Sequence, residues 1–184
     1  KSLGDFLHRS NEIERYMLDY DHCQKVALDF ISGLPVEYIT DSKHISSHLD
    51  CLTSAWKMSP IDNVFKIIEI HKNFNPNVIE RSIPGALRNF IHSSPTGIKY
   101  PDPPMIIDNL KKMISVDDLK EKPFIRHILY EWIHPFCDGN GRSGRVILAA
   151  DLDFDIEKMN EFIDEMYIQR LVDFINSNDI ESLF

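Results

Sequence analysis

The sequence predicts an all-α domain that carries one small β-hairpin. Apolar residues recur at the 3.6-residue helical period in segment after segment, and period-two alternation is confined to one short stretch. The breakers are unevenly spread: six of the ten prolines fall between residues 75 and 104, and three of the seven glycines between 139 and 144. The chain therefore reads as a helical frame with two special regions. At 184 residues, 43% of them hydrophobic, it is long enough for one well-buried core and short for two.

Residues 5 to 20 read as helix, with Phe6, Leu7, Ile13, Met17 and Leu18 as apolar positions. Ser10-Asn11 interrupts it, and Ser10 as an N-cap with Glu12 and Glu14 in the next turn predicts a restart. Val26, Ala27, Phe30 and Ile31 give a second helix, which Gly33-Leu34-Pro35 stops. Ile45, Leu49, Leu52 and Trp56 stripe a third. Ser59-Pro60 opens a fourth, with Ile61, Val64, Phe65, Ile68 and His71 on one face. His44 and His48 have i, i+4 spacing, but no Glu or Cys partner stands in a recognisable arrangement, so these and His71 read as core or surface histidines rather than metal ligands. Asn89 to His92 and Ile98 to Tyr100, on either side of Ser93-Ser94-Pro95-Thr96-Gly97, predict the hairpin, and Pro101, Pro103 and Pro104 end it. On composition alone the same stretch also reads as a linker. Ile106, Leu110, Met113 and Ile114 form another helix, and Pro123 starts a central one with Phe124, Ile125, Ile128, Leu129 and Trp132. Val146 to Leu152 reads as helix. Met159, Phe162, Ile163 and Met166, then Val172, Phe174 and Ile175, continue the helical period as core.

Composition excludes several classes of function. No apolar run reaches the ~18 residues of a membrane span, and Lys1-Ser2-Leu3-Gly4-Asp5 has no signal-peptide core, so the expectation is a soluble cytoplasmic protein without membrane contact. Cys23, Cys51 and Cys137 are scattered and odd in number, which fits a reducing compartment and neither a disulfide framework nor a zinc site. A net charge of −9 without any Lys/Arg block argues against nucleic acid as a partner.

The chemistry gathers in His134-Pro135-Phe136-Cys137-Asp138-Gly139-Asn140-Gly141-Arg142-Ser143-Gly144-Arg145. Pro135 disfavours helical geometry at His134, so the central helix ends there. Gly139, Gly141 and Gly144 let backbone N–H groups converge, and the next helix adds its unpaired N-terminal donors, which makes an anion cradle. Arg142 and Arg145 stand three apart on that helix and both reach the anion. His134 is a candidate base, and Asp138 is a hard oxygen ligand suited to Mg²⁺. No Walker A pattern is present.

This dodecamer resembles the signature of the Fic family, His-Pro-Phe-x-Asp/Glu-Gly-Asn-Gly-Arg-x-x-Arg, at every specified position. The resemblance implies a Fic-type helical bundle, one domain over residues 1–184, with a catalytic loop at 134–145 and the hairpin at about 86–101 as a flap that binds a target protein as an added strand. It implies transfer of AMP from ATP to a Ser, Thr or Tyr hydroxyl of that target, with Mg²⁺ on Asp138. Gly139, Asn140, Gly141, Arg142 and Arg145 would bind the nucleotide, with His134, Arg142 and Arg145 catalytic. Gly141 stands where the phosphoryl-transferring branch of the family has Lys. Ser10-Asn11-Glu12-Ile13-Glu14 looks like the inhibitory Ser/Thr-x-x-x-Glu-Gly/Asn motif of one Fic class, on a helix at about 10–18, although Arg15 replaces its Gly or Asn. There Glu14 pairs with Arg145 and blocks the γ-phosphate. Alternatives within the resemblance are another nucleotide, removal of AMP, or a non-catalytic adaptor, and a homodimer is left open.

Overall fold

The computed structural model describes residues 1–183, and its regular elements are helices. In chain order they are α1 (Ser2–Ile13), α2 (Tyr20–Ile31), α3 (Val36–Ile39), α4 (Lys43–Met58), α5 (Val64–His71), α6 (Ile106–Ser115), α7 (Asp117–Lys120), α8 (Pro123–Ile133), α9 (Asn140–Asp151), α10 (Ile156–Phe162) and α11 (Tyr167–Ser177). Side-chain caps start several of them: Asp19, Ser42, Asn63 and Asp155 each accept a backbone N–H of the first turn. Pro123 occupies the first turn of α8, where its missing N–H costs nothing.

Helix α9 is the axis of the molecule. Arg142 to Ala150 are buried on every side. Helices α4 and α8 pack along it, with α1, α5 and α10 closing the remaining faces. A helix buried all round is expected to be apolar throughout, yet the first turns of α9 carry Asn140, Arg142, Ser143 and Arg145 inside the protein. Around it the buried apolar residues form one connected cluster that runs from Phe6 to Ile180. No helix among the described residues is long and apolar enough to cross a membrane.

Four local expectations are corrected. First, Ser10 does not restart a helix: α1 is continuous to Ile13, and Ser10 and Asn11 are buried within it. Ser10 Oγ bonds with Arg145 and His48, and Asn11 Nδ2 donates to the Leu7 carbonyl, so both residues are held within the helix and not at its end. Glu14 is the C-cap, Arg15 is left-handed (φ 64°), and Met17 is exposed, so no helix covers 10–18. Second, Asn63 caps α5, which begins at Val64 rather than Pro60; its buried face is Ile67, Ile70 and His71, leaving Phe65 in solvent. Third, Trp56 at the end of α4 is exposed as well. Fourth, the stretch 86–101 forms no paired strands: it makes two isolated antiparallel bridges, Leu87 to Phe136 and Ser93 to Lys99, the latter closing the turn Ser94–Gly97. Pro95 and Pro101 remove donors that a longer ladder would need.

Candidate active site

The end of α8 sets the geometry. Pro135 cannot continue the helix, and His134 closes it in the left-handed conformation (φ 49°, ψ 61°), with its N–H bonded to the Tyr130 carbonyl. A non-glycine residue held there is strained, and the surroundings over-determine it. The His134 carbonyl accepts from Arg88 Nε (2.6 Å) and the Pro135 carbonyl from the Arg88 N–H (2.9 Å). The His134 ring stacks on Tyr100, with centroids 3.9 Å apart and planes 5° apart, and beyond it lies His92. Burial, with help from His92 and Arg88, pushes the imidazole down to about 3, so it is neutral at pH 7.

The turn from Pro135 to Gly139 is held by side chains on both sides. Asn140 Oδ1 accepts from the Phe136 N–H and its Nδ2 donates to the Phe136 carbonyl, both at 2.8 Å. The Asn140 side-chain amide therefore closes the loop on itself, and both its polar atoms are engaged with Phe136. Phe136 is fully buried and stacks on His71 at 3.7 Å and 7°. His71 Nδ1 accepts from the Gly85 N–H (2.8 Å), so Nε2 carries the proton and donates to the Asp138 carbonyl (2.8 Å). Burial pushes His71 down to about 4, which keeps this tautomer neutral. The sequence leaves His71 as a core or surface histidine and not a metal ligand, and the fold buries it. There it also fixes the backbone of the loop's only acid.

Gly139 takes φ 83° with His71 and Phe74 tight against where a Cβ would sit, so the loop requires glycine there. The Asp138 carboxylate accepts from the Gly139 and Glu80 N–H groups, each at 2.7 Å, and lies 3.5 Å from Arg142. Each oxygen keeps lone pairs beyond those bonds. No cluster of three or more His, Cys, Asp or Glu among the described residues could hold a metal unaided. One partly exposed carboxylate is the donor set of a Mg²⁺ completed by nucleotide phosphates, so the residues present fit that ion.

Both arginines are buried, in different states. Arg142 lies between the rings of Tyr16 and Phe74 and donates from Nη1 to the Val78 carbonyl (2.8 Å), while its Nε and Nη2 have no hydrogen-bond partner. Nη2 is ion-paired with Asp138 at 3.5 Å, so the guanidinium is paired in charge but incompletely hydrogen-bonded, and an oxyanion would complete it. Arg145 is satisfied: Nε donates to Ser10 Oγ (2.8 Å) and Nη2 to the Ser10 carbonyl (2.9 Å) and Glu14 Oε1 (2.7 Å). A Cβ on Gly141 would collide with that same Glu14 oxygen. The Glu14 carboxylate thus lies against the first turn of α9, where the helix dipole and free N–H groups favour negative charge. Arg142 lies by Asp138 and Arg145 by Glu14, both on the first turns of α9, while the His134 ring packs on Tyr100 and His92. Sequence reasoning missed Arg88, whose only signal was an arginine in an otherwise apolar lead-in.

The helical domain opens its buried central helix on a glycine-containing loop and sets two buried arginines each beside its own carboxylate, Arg142 by Asp138 and Arg145 by Glu14, and residues 61–152, half of the chain, match the sequence model of the Fic/DOC family. The chain belongs to that family. A probable protein adenylyltransferase of Aquifex aeolicus (strain VF5) is 44% identical over a stretch covering 30% of this chain and 20% of its own length. The fold resembles Fic-1 of C. elegans (TM-score 0.58, 16% identity, 99% of this chain and 61% of that one). It also resembles a Fic family protein of Desulfovibrio desulfuricans G20 (0.59, 17%, 95% and 55%) and a Fic domain containing signaling protein of Bacteroides thetaiotaomicron VPI-5482 (0.59, 17%, 98% and 83%). The chain spans about a fifth of the curated relative and a little over half of the first two structures.

Proposed function

We propose that the protein transfers AMP from ATP to a Ser, Thr or Tyr hydroxyl of a protein, and that Glu14 holds the activity back. The observation that carries this reading is Arg142, a buried cation at the start of α9 whose Nε has no partner and whose Nη2 meets only the Asp138 carboxylate at 3.5 Å, on the loop that the neutral His134 opens. That combination suits a polyphosphate with a reacting centre next to it, and an adaptor would need neither base nor metal ligand. The base of the nucleotide lies in the cavity that adjoins His134, between the 86–101 segment and α11. The same segment recognises the target, through backbone groups left unpaired by its isolated bridges.

In this reading the N–H groups at the start of α9 and the Arg142 guanidinium hold phosphate oxygens, and Asp138 holds Mg²⁺. When bound, the ion neutralises charge on the phosphates. His134 Nε2 or Nδ1 accepts the proton of the target hydroxyl as its oxygen bonds to the α-phosphorus. The bond to the β-phosphoryl oxygen breaks and pyrophosphate leaves. Anionic phosphates beside His134 raise its low basicity toward the working pH. Most of the rate comes from positioning and charge stabilisation.

Glu14 occupies the Arg145 position that a γ-phosphate needs. A charge-assisted bond of this kind contributes about 1.5–3 kcal/mol, so relieving it raises activity by roughly 10- to 100-fold. The test is incorporation of label from α-labelled ATP with Mg²⁺ into the protein and a cell extract. Glu14→Gly is expected to label by that factor more than wild type, and His134→Ala about 10²–10⁴-fold less than Glu14→Gly. Retained ATP binding with no labelling by any variant would overturn the transferase reading in favour of another donor or an adaptor. Equal labelling by wild type and Glu14→Gly would overturn the inhibitory role alone.

A further inference from the structure

After α1 the chain turns back beside α9. The Arg15 N–H bonds to the Glu12 carbonyl (2.8 Å) and the Tyr16 N–H to the Asn11 carbonyl (3.0 Å), the paired bonds that close a helix on a left-handed residue, here Arg15 at φ 64°. The turn lays Glu14 and Tyr16 along the first turns of α9, each against one arginine. Glu14 Oε1 accepts from Arg145 Nη2 at 2.7 Å, and the guanidinium carbon of Arg142 stands 5.2 Å from the centroid of the Tyr16 ring. On its other side the buried Phe74 ring lies 5.0 Å from the same carbon. Behind Tyr16 is His44 of α4, with centroids 3.9 Å apart and planes at 35°, and beside Phe74 is His71, at 5.2 Å. Arg142 is therefore the middle member of a row that runs from His44 through Tyr16 and Phe74 to His71.

The turn meets its two arginines differently. Glu14 takes a hydrogen-bonding edge of Arg145. Tyr16 takes only the face of Arg142, and a guanidinium binds oxyanions through its edge while its face stacks on rings. We propose that Tyr16 is a positioning residue for Arg142: its ring, with that of Phe74, holds the guanidinium plane so that Nε and Nη2 meet the nucleotide's phosphate, and it keeps that place when Glu14 lets go of Arg145. The inference rests on the nucleotide reading above. The Nη1 bond to the Val78 carbonyl (2.8 Å) fixes one corner of the group, about which the plane is still free to swing. Asp138, at 3.5 Å from Nη2, is too distant to stop that swing, whereas a ring on each face does stop it. Phe74 is buried in the core, but Tyr16 is half-buried and comes from the turn that also carries Glu14. Relief of inhibition is then the release of one carboxylate from Arg145 with the turn left in place. A segment that departed whole would take with it the ring that orients Arg142.

The experiment measures the dissociation constant of a non-hydrolysable ATP analogue with Mg²⁺ by calorimetry in the Glu14→Gly background. Tyr16→Leu, which fills the space without a flat ring, is expected to weaken binding roughly 3- to 30-fold, the range of a cation–π contact from exposed to desolvated. Tyr16→Phe keeps the ring and is expected to bind as its parent does. With Arg142→Lys in place the ammonium has no plane to orient, so the further change Tyr16→Leu is expected to alter binding less than about twofold. Tyr16→Leu that binds as tightly as its parent overturns the assignment. Tighter binding also overturns it, and makes Tyr16 a second inhibitory group on a segment that leaves as a whole. A penalty that Tyr16→Phe does not rescue, or that persists in full beside Arg142→Lys, shows a role in folding the turn and overturns it too. In all of these cases the nucleotide reading stands. If the Glu14→Gly parent binds no analogue, both readings fall together.

Discussion

His71 shows what a single residue can do without touching a ligand. One ring nitrogen accepts from Gly85, the other donates to Asp138, and the ring face covers Phe136, so three parts of the chain meet on one imidazole. From sequence, its place on an apolar face of the fourth helix gave the correct burial and nothing more, because hydrogen bonds to backbone far along the chain leave no periodic trace. The nine specified residues of the loop, by contrast, were legible because glycine, proline and paired arginines at fixed spacing each constrain backbone or charge locally. His71→Phe keeps the stack and orphans the Gly85 N–H and the Asp138 carbonyl. Each buried group left without a partner costs about 1–3 kcal/mol, so the urea midpoint is expected to fall at unchanged m. Labelling should fall with it, since Asp138 loses its anchor. A midpoint equal to wild type would mean that solvent replaces both bonds, and the positioning role would be wrong.

Among the elements, the 86–101 segment departs furthest from expectation. The alternation of Phe90, Ile91 and His92 against Ile98 and Tyr100 suggested a ladder, yet pairing ends after one bridge, and what fixes the segment is a side chain. Arg88, 2% exposed, donates to the Phe90 carbonyl at its start, to Pro101 at its end, and to Ile133 and His134 on α8. Guanidinium reaches four carbonyls because it carries five donors in a rigid fork. Charge counting from sequence assigns an arginine to the surface, so this clasp was not legible. Neither was the continuous α1, since Ser10 is a good N-cap in isolation and only Arg145, 135 residues away, explains why it sits mid-helix. Arg88→Lys keeps the charge but offers three donors on a flexible stem. Proteolytic nicking between Phe90 and Pro101 is expected to quicken relative to global unfolding, because local opening now requires fewer bonds to break. Cleavage that still tracks global unfolding would show that the bridges, not Arg88, hold the segment.

At the scale of the whole molecule, the buried helix α9 leaves a set of titratable groups out of water, and their opposing shifts predict a stability optimum. Burial lowers His48, His71, His127 and His134 from the ordinary 6.5, the last three to about 4, 3 and 3. For these groups the folded state binds fewer protons, so their contribution is complete above about pH 6.5 and is lost as pH falls through that window. Burial raises Glu131 from 4.5 to about 8 and Asp151 from 3.8 to about 6, the latter despite its ion pair with Arg126. For those two the folded state binds more protons, so stability is lost as pH rises, through about 6 for Asp151 and about 8 for Glu131. Between about pH 4 and 6.5 four histidines outweigh two acids and stability climbs. From 6.5 to about 8 Glu131 leads and stability declines, and nearer pH 9 the buried Cys23 and Cys51 thiols, both raised by burial, add to the loss, as does the mutual repulsion of a chain already at −9. The thermal midpoint, followed by circular dichroism from about pH 5 to about pH 9, is therefore expected to peak near 6.5. Glu131→Gln should flatten the alkaline limb and leave the acid limb, whereas His71→Phe should soften only the acid limb. A profile that rises steadily to pH 9, or an alkaline limb indifferent to Glu131→Gln, would mean that Glu131 is ionised and paired in the folded protein.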